Sequence, residues 1–196
     1  LPELSIRSNQ IVNKTRRGKD STAWVCTNQG IFSVNTQTLS VTKSIFTKSK
    51  IQDNAPGECD ENNYWDIAEL ADSSICAASK CGLLCVKAFG KDTIRFRSKL
   101  STNSIADDQV RSLHIDNKGH LWVGTAHGLN LYNAEKQTFL HYLPESLQTY
   151  SSPNPRLYVN AIIERPDGKL WIGFGDGLYS FDPKSKKFSP IVDWHV

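Results

Sequence analysis

HLWVGTAHGLNLYN occupies His120–Asn133 and KLWIGFGDGLYSFD occupies Lys169–Asp182, so the chain contains nearly the same stretch twice. The two copies align without a gap, and Trp122 and Trp171 take the same position 49 residues apart. In both copies a glycine follows the tryptophan six positions later. This spacing indicates a tandem repeat and gives an alignment for the rest of the chain.

Two weaker copies precede these stretches. DSTAWVCTNQGIFSVN (Asp20–Asn35) has Trp24 as its anchor, whereas DSSICAASKCGLLCVK (Asp72–Lys87) has Cys76 where the other copies have Trp. The anchors follow one another at steps of 52, 46 and 49 residues, and the glycine six positions later is present in all four copies. Self-similarity at such a period indicates propeller blades or helical solenoid units. The repeat anchors are Trp24, Gly30, Gly82, Trp122, Gly128, Trp171 and Gly177.

The pattern inside each unit favours the propeller. Each unit contains four runs of about five β-branched and aromatic residues, separated by Gly, Asp and Asn, and no window shows a helical stripe. This predicts an all-β fold, a β-propeller of about four four-stranded antiparallel blades at approximately 8–48, 62–98, 108–143 and 157–192. We expect the Trp to fill the space between neighbouring sheets. The Gly should adopt a positive φ in the turn between the second and third strands.

The number of units bears on how the ring closes. Four units account for nearly all of the 196 residues. Propellers close at four to eight blades, so four could close on themselves, but we expect this segment to be part of a larger propeller. An unclosed stack would leave two sheet faces bare, which predicts contact with remaining blades or with a second copy of the chain. The start at Leu1 and the absence of Met suggest a piece of a longer protein.

Charge and motif content argue against several function classes. The net charge of +3 arises from 23 basic and 20 acidic side chains mixed along the chain, which is not a nucleic-acid-binding pattern. The chain has no run of 18 apolar residues, so membrane contact would come only through domains outside this segment. It contains no G-x-S-x-G or H-E-x-x-H motif and no phosphate-binding Gly loop. We therefore expect no enzymatic activity, no catalytic residue and no cofactor.

The cysteines and histidines do not predict a metal site. Cys76, Cys81 and Cys85 lack the C-x-x-C spacing, and scattered framework positions favour small buried side chains. His120 and His127 lie at opposite ends of one predicted strand, about 23 Å apart. Cys76 and Cys85 flank one turn and could form a cross-strand disulfide. Because the chain has five cysteines, at least one thiol stays free or pairs outside the chain.

Long connections predict a ligand-binding face. The segments 47–65, 98–109 and 143–158 join successive units and are longer than the turns on the opposite face. Polar residues at the start of each first strand (Asn13, Asp66, Arg111 and Asn160) are interpreted as repeat-equivalent and share that face. With nearby aromatics they suit a sugar-like or other polar small ligand, although they could equally cap a wet central channel. The candidate ligand-binding residues are Asn28, Gln29, Tyr64, Trp65, Asp66, Arg111, His127, Tyr158, Asn160 and Asp176.

VRSLHIDNKGHLWVGTAHGLNLYN (Val110–Asn133) and VNAIIERPDGKLWIGFGDGLYSFD (Val159–Asp182) resemble the two-component regulator propeller repeat. The family pattern is close to V-x-x-I-x-x-D-x-x-G-x-L-W-x-G-T-x-x-G-L-x-x-[YF]-[DN], and the first two units have drifted from it. The resemblance implies the periplasmic sensor portion of a Bacteroidetes hybrid histidine kinase/response regulator. Such propellers precede an immunoglobulin-like domain, a membrane helix and the kinase, and their usual stimulus is an oligosaccharide.

Two alternatives to a ligand sensor remain open. The first is a protein-interaction platform, in which the exposed blade edges and loops hold another chain. The second is a carbohydrate-active propeller enzyme, because IDNKGHLW (Ile115–Trp122) also resembles the Asp-box turn of sialidase propellers. The Ser or Thr that precedes the Asp in that turn is missing, and no Arg triad is evident. In the sensor, ligand binding would shift blade or dimer packing and bias the state of the kinase.

Overall fold

The computed structural model describes residues 10–45, 62–87, 92–99, 101, 103–148 and 157–193. They form four four-stranded antiparallel sheets, and in each sheet the strands lie in chain order. The strands are β1 (Val12–Arg17), β2 (Thr22–Thr27), β3 (Gly30–Asn35), β4 (Val41–Ile45), β5 (Tyr64–Glu69), β6 (Ile75–Ser79), β7 (Gly82–Val86), β8 (Thr93–Phe96), β9 (Val110–Ile115), β10 (Leu121–Thr125), β11 (Gly128–Asn133), β12 (Thr138–Tyr142), β13 (Val159–Glu164), β14 (Leu170–Phe174), β15 (Gly177–Asp182) and β16 (Lys187–Asp193). One short helix, α1 (Glu145–Gln148), lies between β12 and β13. The predicted all-β propeller fold is confirmed.

The first strand of each sheet is the innermost. β1 packs beside β5, β5 beside β9 and β9 beside β13, so the four blades stack in chain order. Three apolar clusters fill the three spaces between neighbouring blades. Trp122 lies in the space between the third and fourth blades. Its ring packs edge-to-face against the Phe181 ring, with the ring centres 5.5 Å apart. Its indole N–H donates to Asp116 at 2.9 Å, so the buried polar edge of the ring is satisfied.

The turn between the second and third strands is fixed by glycine in three blades. Gly30, Gly82 and Gly128 have φ of +140°, +100° and +92°, which side chains with a Cβ rarely adopt. The N–H of Gly128 donates to the carbonyl oxygen of Leu157 in the segment that leads to the fourth blade. Gly177 is not among the described glycines with positive φ, so the expectation of a positive φ is wrong for the fourth blade.

A hydroxyl group fastens the same turn in the first three blades, a feature that the sequence analysis did not isolate. Thr125 donates from Oγ1 to the carbonyl oxygen of Gly128 at 3.0 Å and accepts the N–H of His127 at 3.1 Å. Thr27 and Ser79 make the equivalent donations in the first and second blades. Phe174 occupies this position in the fourth blade and cannot make these bonds, which accounts for the different turn there.

The two ends of the stack are open. Val110 and Val159 are completely buried by the preceding blade, whereas the equivalent Val12 of the first blade is 52% exposed. At the other end Trp171 is 37% exposed, although the equivalent Trp122 is only 2% exposed. Ile163 beside it is 59% exposed. The described residues therefore form a partial propeller rather than a closed four-blade ring.

The structure contains the cross-strand disulfide that the sequence left open. Cys76 and Cys85 are directly opposite in the β6–β7 register, with Cα atoms 4.1 Å apart and the sulfurs bonded. Cys81 is also disulfide-bonded. Cys26 is a free and buried thiol, and Cys59 lies outside the described residues. The second blade thus has a covalent link at the position where the three other blades have tryptophan.

Removing this disulfide should destabilise the protein. The bond joins residues nine positions apart, and closing a loop of that size is worth about 2–3 kcal/mol of denatured-chain entropy. A Cys76→Ala/Cys85→Ala double variant should lose this amount in chemical denaturation under oxidising conditions. Reductant should shift the midpoint of the double variant less than that of the wild type. Equal midpoints for the double variant and the wild type without reductant would contradict the prediction.

The Cys26 thiol should be unreactive in the folded protein. Burial raises its pKa to about 12, because a thiolate would be poorly solvated between the first two blades. At pH 8 only about one molecule in ten thousand would carry the thiolate. Iodoacetamide at pH 8 should leave the Cys26 peptide unmodified in native protein and label it fully in denaturant, as read by mass spectrometry. Complete native labelling within minutes would show that the thiol is accessible.

Candidate ligand-binding site

Each inner strand carries a β-bulge at its second residue. The registers shift between Val12 and Lys14, between Tyr64 and Asp66, between Val110 and Ser112, and between Val159 and Ala161. A bulged residue leaves the ladder, and its side chain is re-aimed. The four bulged residues form one repeat-equivalent set, here called the rim row: Asn13, Trp65, Arg111 and Asn160.

The rim row corrects the repeat alignment of the second blade. Asp66 was expected to be equivalent to Arg111 and Asn160, but the bulge in β5 falls on Trp65. The same register shows that Tyr64 and Trp65 belong to strand β5 and not to the preceding connection. Trp65 is therefore the contribution of the second blade to this face.

Arg111 is at the centre of the rim row. Its guanidinium lies 4.9 Å from the centre of the Tyr158 ring and 5.8 Å from that of the Trp65 ring. Its Nη1 donates to Oδ1 of Asn160 at 3.4 Å, and its Nη2 donates to Oε1 of Gln109 at 3.5 Å. Both bonds are at the long limit for a hydrogen bond. Nε is buried and has no partner, so the most polar group of the site is incompletely satisfied.

The neighbours of the rim row hold it in place. Tyr158 lies against Gly175 of the β14–β15 turn, and a Cβ at Gly175 would overlap the Tyr158 ring. At the other end, the Asn13 amide donates to the carbonyl oxygen of Tyr64 at 2.8 Å and to Oδ1 of Asn63 at 3.0 Å. The row thus links all four blades along one face.

The turns between second and third strands share the face of the rim row, as expected. The N–H of Ala126 in such a turn donates to the carbonyl oxygen of Gln109, just before β9. Asn28 accepts the N–H of Ile11 at 2.8 Å. His127 is exposed, and Gln29 is half-buried and bonds through its backbone to Thr27. These side chains contribute to the face but make no described contact with Arg111.

Asp176 is the most buried of the turn residues. It is 6% exposed, and Oδ2 accepts the Tyr179 hydroxyl at 2.8 Å. Oδ1 is buried without a partner, which leaves a strong acceptor unused beside the turn that supports Tyr158.

Two of the predicted site residues, Tyr64 and Asp66, are buried and make contacts within the fold instead of lining the face. Tyr64 is completely buried in the cluster between the first two blades, so its ring does not line the face. Asp66 lies further along the inner strand and is 3% exposed. It accepts two hydrogen bonds from Arg16 and the N–H of Leu113, and so joins the first three inner strands. The prediction that both side chains face a ligand is not supported by these positions.

Residues 104–127, which include Arg111 and most of the third blade's inner half, match the family model described as "Two component regulator propeller". The match covers 24 of the 196 residues. It ends at His127, so it includes β9, β10 and the turn after β10, which position the centre of the rim row.

The solved structures that resemble this propeller include two from B. thetaiotaomicron. One is the extracellular domain of BT3049, described as a hybrid two component system, with 24% identity, a TM-score of 0.69, and coverage of 94% of this chain and 22% of that chain. The other is the extracellular domain of BT4673, described as a one component system, with 17% identity, a TM-score of 0.73 and the same coverages. The likeness shows the propeller fold, and this chain spans about a fifth of each of the two.

A third resembling structure is virginiamycin B lyase from Staphylococcus aureus, with 10% identity and a TM-score of 0.67. The alignment covers 94% of this chain and 56% of the lyase chain. At this identity the likeness again shows the fold alone. The search of curated proteins finds no significant match. Within the described ranges, no helix has the length and apolar character needed to span a bilayer.

A cavity between the described residues lies away from the rim row. It has a volume of about 770 Å³ and lies between the second and third blades at the opposite face, beside Leu121, Tyr132 and Leu140. The sequence does not predict this cavity, because its walls combine the β5–β6 turn with parts of β10, β11 and β12 that share no motif. Among the described residues, no group of three or more His, Cys, Asp or Glu is placed to hold a metal ion.

The same face also holds a second cavity, beside the inner strands of the first three blades. This cavity of about 350 Å³ is lined by Arg16, Lys19, Glu69 and His114, among others. Burial lowers the pKa of His114, and Glu164 at 3.8 Å offsets part of this effect. Arg16 pairs with Asp66, and Lys19 donates to carbonyl oxygens of the second blade. Two of the cations at this cavity are therefore held by other groups of the protein.

Proposed function

We propose that this chain is the extracytoplasmic, periplasmic ligand-sensing module of a hybrid two-component signalling protein that responds to an oligosaccharide. The regulator propeller repeat and the extracellular domains that share its fold support this proposal. The segment itself performs no catalysis. A histidine kinase and a membrane anchor would belong to other parts of the same protein.

The observation that carries the proposal is the rim row. Trp65 and Tyr158 provide flat half-buried rings, while Asn13, Arg111 and Asn160 provide side-chain amides and a guanidinium at the same edge. A few convergent polar groups beside aromatic surface are the usual composition of a small-molecule site. Sugars match it because their C–H faces pack on rings and their hydroxyls bond to amides.

A ligand on the rim row would act on the arrangement of the blades. The row draws one residue from each blade, so a bound sugar would contact several sheets at once. Such a ligand favours whichever blade packing or dimer packing binds it more tightly, and it shifts the population toward that state. Coupling to a kinase requires only this difference in affinity between the two states.

The proposal is tested by a thermal-shift and calorimetric screen against plant and host oligosaccharides. A ligand at about 100 times its Kd should stabilise the folded protein by about 2.7 kcal/mol. Trp65→Ala should weaken the affinity by about tenfold, equivalent to about 1.4 kcal/mol, whereas Trp171→Ala on the open end should leave it unchanged. If no sugar stabilises the segment while the full-length receptor responds normally, the ligand binds elsewhere.

The open ends favour a second candidate function, an assembly platform. Val12 at one end and Trp171 at the other present apolar side chains that the equivalent Val110 and Trp122 bury inside the stack, and Ile163 beside Trp171 is also exposed. Exposed apolar surface of this kind marks an interaction site, here for further blades or a second copy of the chain. Size-exclusion chromatography with light scattering should reveal concentration-dependent association, and Trp171→Ser should weaken it. A monomer at all concentrations would argue against self-assembly.

A carbohydrate-active enzyme is the remaining alternative, since propellers also serve as lyases. The fold likeness at 10% identity carries no catalytic residue across to this chain. We expect no turnover of chromogenic glycosides at enzyme concentrations that would reveal slow hydrolysis. Measurable turnover that the Arg111→Gln variant abolishes would replace the sensor proposal with an enzymatic one.

A further inference from the structure

We infer that the rim row recognises an acidic sugar, with the sugar carboxylate bound by Arg111 between the Trp65 and Tyr158 rings. This inference rests on the proposed function, because it names the chemical class of the ligand at the same site. It is carried by the state of the Arg111 guanidinium in the unliganded chain.

Arg111 makes no ion pair, unlike three other arginines among the described residues. Arg16, Arg97 and Arg165 each lie within 4 Å of an aspartate oxygen. The polar contacts of Arg111 are two neutral amide oxygens at 3.4 and 3.5 Å, and its Nε has none. Because Nε is buried, the hydrogen-bonding capacity that remains for a ligand lies on Nη1 and Nη2, whose only acceptors are these two neutral oxygens at long distances.

The aromatic walls favour an anion that is planar and bidentate. The rings of Trp65 and Tyr158 attract the guanidinium through its faces. Its N–H groups project from the edge of the guanidinium plane, and carboxylates match this fork with two parallel bonds. The rings also displace water around the cation, which strengthens a charge-assisted bond. A lysine ammonium cannot make two parallel hydrogen bonds of this kind, so bidentate binding of a carboxylate at this position requires arginine.

The surroundings of Arg111 fit the rest of a sugar acid. Asn13 and Asn160 are exposed amides in the same row, and both can bind hydroxyl groups. No described carboxylate contacts the Arg111 guanidinium, so nothing in contact with it competes with an incoming anion. A uronic acid residue, which carries one carboxylate and several hydroxyls, uses both kinds of group.

The test compares acidic oligosaccharides with uncharged counterparts of the same stereochemistry. Galacturonate, glucuronate and alginate oligomers, and the methyl ester of each, are titrated into the full chain by calorimetry. We expect at least one free acid to bind and its ester to bind roughly tenfold more weakly or not at all. This comparison requires no variant, so it does not depend on the folding of a mutant.

Variants locate the anion on the chain. Arg111→Gln should weaken binding of the free acid by roughly tenfold or more, and Arg111→Lys should restore only part of the loss. Arg165→Gln is the matched control, because Arg165 also stacks on a tryptophan but pairs with Asp167. It should bind like the wild type. Circular dichroism and thermal melting check that each variant is folded.

The outcomes separate this inference from the proposed function. Esters or neutral oligosaccharides that bind as tightly as acids, with affinity unchanged in Arg111→Gln, would overturn the acidic ligand and leave the sugar sensor standing. Acid binding that Arg111→Gln does not weaken would place the anion elsewhere and also overturn the inference. Failure of every acidic and neutral oligosaccharide to bind would count against the sugar sensor itself.

Discussion

Trp122→Ala should lower the free energy of unfolding by about 3–5 kcal/mol, the range for removing a large aromatic side chain from a packed core. Trp122 is 2% exposed and contacts Phe181 and Tyr142 between the third and fourth blades. The substitution leaves a cavity there and removes the hydrogen bond to Asp116. The backbone of β10 is paired on both sides and cannot collapse into the space, so the cost should be near the upper end.

Trp171→Ala is the matched control for this prediction. Trp171 has the same position in the repeat, but it is 37% exposed at the open end of the fourth blade. Its removal should cost about 1 kcal/mol or less in the monomer, since little cavity is formed. Urea denaturation followed by tryptophan fluorescence and circular dichroism measures both variants. Similar losses for the two variants would mean that the fourth blade is covered in solution, by a second copy or otherwise.

The different exposure of Trp122 and Trp171 shows which structural features the sequence repeat can predict and which it cannot. The 46–52-residue spacing fixes which residue faces the next blade, because it follows from strand order and from the period-two alternation of side chains. It does not fix whether a next blade is present. Trp122 and Trp171 are the same in the sequence pattern and differ in exposure only because one has a neighbouring sheet.

The candidate site was predicted in part for a similar reason. Arg111, Asn160, Trp65 and Tyr158 were selected as polar or aromatic residues at one face, and the structure brings them together. The repeat anchors themselves place Trp65, and not Asp66, in this set, because Trp65 precedes Cys76 by eleven residues just as Arg111 precedes Trp122. Asp66 was therefore aligned one position too late. The bulge that re-aims the side chain after Tyr64 is set by backbone hydrogen bonding, and the sequence does not announce it.

Asp66→Asn should destabilise the protein by about 3 kcal/mol, through loss of a carboxylate that joins three blades. Asp66 accepts Nε and Nη2 of Arg16 at 2.9 and 2.8 Å, and the N–H of Leu113 at 3.0 Å. Breaking a buried ion pair from one side costs about 3–5 kcal/mol because the partner charge is left uncompensated. The Arg16 side chain is 40% exposed and can be partly hydrated, so we expect the lower end of this range.

The amide in Asp66→Asn has the size of the carboxylate, so the loss would report charge and hydrogen bonding rather than volume. One of its two terminal atoms becomes a donor, which must face the Arg16 guanidinium or the Leu113 N–H. Asp167→Asn removes an exposed ion pair with Arg165 and should cost less than about 1 kcal/mol. In an Arg16→Gln/Asp66→Asn cycle, a coupling energy near zero would show that the two residues act independently. A coupling of 1 kcal/mol or more would show that the pair holds the inner strands together as a unit.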